Sequence, residues 1–276
     1  MAGKKLILLA CFFSIFSSLI MAQKESEPNF YVKIFGGYGI LTPGAFKLTS
    51  TSTSSFSVGS TGLGAGLHFG GGLGYILNDF LNLGVDAEYL KGNDLTASST
   101  YIGVLGNGSS HSKIPYSVLS IIPNITFKAL SKPGYLIYTR IGILITAQTK
   151  SSSIVYDSSD LIINHPNPIV ASNTNTTYTY SVNVGVQAAL GLQFHITGNL
   201  RGFVELVGNY LPITPTSSTA VAVINNYNSG PTFVSTSTTT TQTSYKKSGN
   251  TGNNEQNSMA YNVNYIGLNI GVALRL

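Results

Sequence analysis

Residues 180–196 read Tyr-Ser-Val-Asn-Val-Gly-Val-Gln-Ala-Ala-Leu-Gly-Leu-Gln-Phe-His-Ile. Tyr180, Val182, Val184, Val186, Ala188, Leu190, Leu192, Phe194 and Ile196 take alternate positions. Ser181, Asn183, Gly185, Gln187, Ala189, Gly191, Gln193 and His195 fill the positions between. Successive side chains of a β-strand point to opposite faces, so the stretch predicts a strand apolar on one face and polar or small on the other. A half-buried strand of a soluble sandwich alternates in the same way, but it usually runs only five or six residues. Seventeen residues of alternation argue for a different solvent on the apolar side.

Seven further stretches read alike: Phe30–Ile40, Gly62–Leu77, Phe80–Lys91, Ile114–Leu130, Tyr135–Thr146, Leu200–Leu211 and Tyr261–Leu276. The spacers between them alternate in length. Asn78-Asp79, Ser131-Lys132-Pro133-Gly134 and Thr197-Gly198-Asn199 are short and rich in turn formers. Residues 41–61, 92–113, 147–179 and 212–260 are long and polar. This rhythm predicts an all-β fold, an eight-stranded antiparallel up-and-down transmembrane β-barrel with short periplasmic turns and four long extracellular loops. Closure follows from the solvent: an open sheet edge in hydrocarbon would leave N–H and C=O groups unpaired, at several kcal/mol each.

Composition agrees. Charged residues make up 9% of the chain, against about 25% in a typical soluble domain. Disordered chains are usually highly charged and poor in aromatic and β-branched residues, whereas this chain has 16 Tyr and 13 Phe. Lys4 and Lys5, an apolar run from Leu6 to Ile20, and Met21-Ala22 predict a signal peptide over residues 1–22. A short periplasmic segment, 23–29, and a barrel domain, 30–276, follow it. The apolar run is interrupted by serines and shorter than the roughly 20 residues of a spanning helix. Cys11 is the single cysteine and would leave with the leader, so the mature chain offers neither a disulfide nor a thiolate metal site. Removing two lysines lowers the formal charge from +5 to +3 (5 − 2), with no basic run that would point to nucleic acid.

Aromatic residues stand near both ends of the strands. Tyr38, Tyr89, Tyr116, Tyr178, Tyr210 and Tyr261 lie toward the long loops. Phe30, Tyr75, Phe80, Phe127, Tyr135 and Phe194 lie toward the short turns. Two such rings match the interfacial girdles of outer-membrane barrels, here without any Trp. The Gly-rich hairpin from Gly70-Gly-Gly-Leu-Gly-Tyr75 to Leu83-Gly-Val-Asp-Ala-Glu-Tyr89, with the closing strand Gly267-Leu-Asn-Ile-Gly-Val-Ala-Leu-Arg-Leu276, resembles the eight-stranded OmpA-like and OmpX-like outer-membrane β-barrel family. The resemblance covers nearly the whole mature chain and implies a Gram-negative outer membrane. The chain departs from the family in ending on Leu276 rather than an aromatic. No peptidoglycan-binding domain is read in it, so wall anchoring gains no support.

Strand parity sends seven charges to the face opposite the lipid: Lys33, Asp86, Glu88, Arg140, Arg201, Glu205 and Arg275. Arg or Lys on the lipid side at mid-depth would cost about 2–4 kcal/mol. Gly64, Gly66, Gly70, Gly72 and Gly74 share the inner face of the second strand and are expected to clear space for Lys33, Asp86 and Glu88. In a barrel this narrow the cluster reads as a polar plug; the competing reading is a gate in a narrow pore for small solutes. A lipid-modifying enzyme comes third. His111-Ser112 lacks an orienting third group, while His68 and His195 read as inward polar side chains. His165 completes the four histidines, which are scattered, so neither a metal, a cofactor nor a catalytic residue is predicted. The expected role is non-enzymatic, in surface interaction or envelope integrity. The expected partners are outer-membrane lipid and an extracellular ligand met through loops 147–179 and 212–260, the barrel itself being a monomer. The last loop carries Ser235-Thr-Ser-Thr-Thr-Thr-Thr-Gln-Thr243, expected to be ordered near the membrane and disordered at its tip.

Overall fold

The computed structural model describes residues 29–41, 47–52, 55–59, 63–103, 106–132, 134–160, 169–227, 233–246, 255–257 and 261–276. The predicted leader lies outside the described residues, as does His165. Eight strands form the barrel: β1 (Phe30–Leu41), β2 (Gly66–Ile76), β3 (Leu81–Gly92), β4 (Tyr116–Ser131), β5 (Tyr135–Asp160), β6 (Val184–Thr197), β7 (Leu200–Tyr210) and β8 (Tyr265–Arg275). Each pairs antiparallel with its sequence neighbour, and β8 returns to β1 in a register running from Tyr31↔Arg275 to Leu41↔Ile266. The sheet is therefore closed, and the hydrogen-bonding edges that lipid would penalise are gone.

Alternation sorts the side chains as the sequence predicts. In β6, Val184, Val186, Leu190, Leu192 and Phe194 are exposed, whereas Gln187 and Ala189 are buried in the lumen. Ile270 is 67% exposed and Leu73 64%, values suited to side chains meeting acyl chains rather than water. The turns are tight. Leu77 N–H donates to the Leu81 carbonyl at 3.0 Å, and Phe80 N–H to Asn78 Oδ1 at 2.8 Å, a side-chain turn that explains the asparagine. Gly198, at φ 48°, sits in the left-handed region where other residues are strained, which lets β6 reverse into β7 at once.

Three expectations are corrected. Tyr116 is only 3% exposed and points into the lumen, not into a girdle, because it shares parity with inward Val118 and Ser120. Tyr180 belongs not to β6 but to a separate strand, Ile169–Tyr180, and packs against the buried apolar cluster. His195 keeps the inward parity of Gln187 and Gln193, but it is exposed rather than enclosed, since the lumen has already opened where β6 meets its turn.

The long connections also differ from loops. β5 continues unbroken for 26 residues. Its outer half pairs on one side with Gly106–Ile114, which pairs in turn with Leu95–Gly103, and on the other side with Ile169–Tyr180. Ile169–Tyr180 carries Pro215–Tyr227, and that strand carries Phe233–Lys246. An open sheet thus stands beyond the barrel. The Ser/Thr run is strand along its length, ordered further than expected; its tip, 228–232, lies outside the described residues. High β-propensity in Thr, Val and Ile, with neighbouring strands to pair against, accounts for the order.

Replacing Leu190, 56% exposed on the barrel wall, by Arg is expected to lower stability by about 2–4 kcal/mol in lipid vesicles. Thr239→Arg on the projecting sheet is expected to stay within about 0.5 kcal/mol. Urea unfolding followed by gel mobility of the folded form checks both; equal effects would mean that the barrel wall does not face lipid.

Candidate functional site

Five of the seven predicted lumen charges meet at mid-barrel. Lys33 Nζ lies 2.8 Å from Asp86 Oδ2, and Arg140 Nη1 lies 3.2 Å from the same oxygen. Arg140 also grips Glu205 with two bonds, Nε to Oε1 at 3.0 Å and Nη2 to Oε2 at 2.6 Å, the paired geometry in which a planar guanidinium fits a carboxylate best. Asp86 is fully buried, and Arg140 and Glu205 are each 2% exposed. Charges so far from water are tolerated only when paired and hydrogen-bonded.

Neutral side chains complete the belt. Gln187 Oε1 accepts from Arg140 Nη1, and Gln187 Nε2 donates to Glu88 Oε2 at 3.2 Å. Tyr138 donates to Glu205 Oε1 at 2.9 Å, and Tyr265 donates to Glu88 Oε1 at 3.0 Å. Glu88 is thus held by an amide and a phenol rather than by a cation. His68 is fully buried, bonds through Nε2 to Asn269 Oδ1, and stacks on Tyr265 with ring centres 4.9 Å apart. The glycines of β2 make room for Asp86 as expected, and also for two rings that were not expected. A Cβ on Gly72 would collide with the Asp86 carboxylate, whereas one on Gly74 or Gly70 would strike the rings of Tyr31 or Phe35.

Arg201 and Arg275, the other two predicted charges, do not join this belt. They stand nearer the short turns, around a cavity of about 40 Å³ bounded on the far side by Lys33, Arg140 and Glu205. Lys128 lines the same cavity. Sequence parity with Thr126 and Asn124 would have placed it there, yet its position at the strand end hid it among the turn residues.

Toward the long loops a second layer closes the lumen, and it is apolar. Ile122, Leu144, Val207, Ile213, Val263 and Tyr265 are all 1% exposed or less and pack together with Tyr116 and Leu90. Ile213 and Val263 come from the long last connection, where Pro212–Ile213 pairs with Tyr261–Asn262. The contribution of Ile213 is invisible to a reading of the barrel strands alone.

Outside this cap lies a groove of about 490 Å³ bordered by Tyr89, Lys91, Asp94, Lys150, Thr177 and Tyr178. Asp94 pairs with Lys113 at 2.8 Å, and the hydrogen bond raises the Lys113 pKa above its usual value. Burial, with Tyr245 and Tyr261 nearby, pushes the Tyr178 phenol up to about 12. His111 is exposed on the strand Gly106–Ile114, set across from Tyr156 and Ser98.

Residues 8–211 match the family described as "Outer membrane protein beta-barrel domain". The chain belongs to this family. Its seat is therefore the outer membrane of a Gram-negative cell. No protein of curated function matches the chain. Among solved structures it is similar to the outer membrane protein OprG from Pseudomonas aeruginosa, at 12% identity and a TM-score of 0.35, covering 90% of this chain and 96% of that one. It is also similar to the CymD monoaromatic hydrocarbon channel, at 8% identity and a TM-score of 0.22, covering 91% and 90%.

Truncating Arg140 to Met would leave Asp86 and Glu205 without their shared cation. A loss of about 3–5 kcal/mol is expected, the usual result of breaking a buried ion pair from one side. Glu205→Gln, which can still accept from Tyr138 and Arg140, should lose less. Unfolding midpoints of the two variants in the same lipid check the order.

Proposed function

We propose that this outer-membrane barrel is non-conducting and non-enzymatic, and that it presents its projecting sheet for surface interaction or for envelope integrity. The observation that carries the reading is the two-layer closure of the lumen: the Arg140 belt, then the apolar cap that includes Ile213 and Val263. A passage for solutes would have to displace both layers, and the cap is held from a long connection as well as from the wall.

The projecting sheet supplies what the lumen does not. It offers exposed Ser and Thr along Phe233–Lys246 and the groove beside Tyr89 and Tyr178. In this proposal the short turns face the periplasm and the sheet faces outward, after removal of a leader over 1–22. A monomeric barrel surrounded by lipid and akin to the OmpA-like and OmpX-like group fits the eight-strand architecture. The His111–Ser112 pair has no place in the proposal as a catalytic couple, because adjacent residues of a strand point to opposite faces.

In planar bilayers the purified protein is expected to give no reproducible channel steps. Steps that change amplitude in Glu205→Ala would establish the narrow-pore alternative instead. Removing residues 216–256 while the barrel still folds is expected to lower adhesion of cells to at least one surface, and unchanged adhesion across surfaces would count against the interaction role.

A further inference from the structure

Among the described residues, the cavity at the short-turn end is lined by more cations than carboxylates. Lys33 and Arg140, on its upper wall, are matched by Asp86 and Glu205. Below them stand Lys128, Arg201 and Arg275, the last with interactions of its own, and among the described residues the carboxylate lining the cavity is that of Glu205, already held by Arg140. Lys128 lies within electrostatic reach of Arg275 and Arg201, and of the opposing charge of Asp79 on the turn. Its ammonium donates at 3.2 Å to the Asn78 carbonyl, a neutral acceptor.

Arg201 shows the deficit most directly. Its Nε is buried, and among the described residues it has no hydrogen-bond partner. A buried guanidinium N–H without an acceptor is unfavourable unless an acceptor enters the cavity, and beside further cations an anionic oxygen is the best one. The cavity's 40 Å³ exceeds the roughly 10–15 Å³ that one water needs, so it leaves room for an acceptor group larger than a single water. A guanidinium and an ammonium together suit a phosphate, the first as a planar fork and the second as a point charge.

We propose that Arg201 and Lys128, with the charge of Arg275 beside them, form a phosphate-binding site in the short-turn mouth of the barrel. The ligand class is a phosphate group, either inorganic or the headgroup phosphate of an anionic phospholipid. The site rests on the closed lumen but not on the role of the projecting sheet, and a conducting lumen would not by itself abolish it.

The test uses the folded full-length barrel. Inorganic phosphate is titrated calorimetrically in a zwitterionic detergent. In a second arm, retention of phosphatidylglycerol over phosphatidylcholine is measured by native mass spectrometry. Binding in the first arm identifies a free-anion site; retention in the second arm alone identifies a lipid headgroup site. Either signal is expected to weaken about tenfold or more in Arg201→Gln and in Lys128→Gln. Lys132→Gln, which removes an exposed lysine of the neighbouring turn, should leave it intact. Unfolding midpoints confirm that each variant is folded. No binding in either arm, or an equal loss in Lys132→Gln, overturns the proposal.

Discussion

Arg140 reaches into the lumen from β5 and there meets Asp86 of β3, Gln187 of β6 and Glu205 of β7. A closed sheet of eight strands leaves an interior that side chains must fill, and here the centre of that filling is ionic. Lipid on the outside forbids the charges from turning outward, so wall and belt constrain each other. Closure removes the edges, and the belt helps to define which inner faces oppose one another. Whether the ion pairs add net stability over an apolar core is a separate matter, because desolvation offsets much of their attraction. Their geometric specificity is the clearer gain.

The barrel was legible because period-two alternation is a direct record of two solvents. Val184 through Phe194 announced lipid on one side, and short and long spacers announced the order of the strands. Parity also brought Lys33, Asp86, Glu88, Arg140 and Glu205 to the inner face. It could not say at what height each would stand, because a strand's tilt and stagger are not written in its alternation. Hence Arg201 and Arg275 fell into the same predicted cluster although they line a cavity nearer the turns.

Two features were less legible for other reasons. The apolar cap depends on Ile213, from a connection whose polarity marked it as loop, and on Val263, which the sequence reading included in the last strand although β8 begins at Tyr265. The projecting sheet depends on pairing between segments remote in sequence, such as Ser109 with Ser158 and Val221 with Thr240. Polar strands of Ser, Thr and Asn exposed to water have no apolar face to betray them. Tyr116 failed differently: an aromatic at a strand end fits a girdle or a cap equally well until its parity with Val118 is counted.

The uninterrupted course of β5 has a mechanical side. Residues 147–160 extend past the last ladder with β6 at Ile145, and at ~3.3 Å per residue they reach on the order of 45 Å along the strand. The same chain that carries Arg140 in the lumen is therefore a stem for the sheet, with a register irregularity at Ala147 where anchorage passes into display. In the outward orientation proposed above, a molecule approaching the cell would meet the tip of this stem well before it met the lipid headgroups. A pull on the tip would pass through continuous backbone into the ion-paired centre of the barrel.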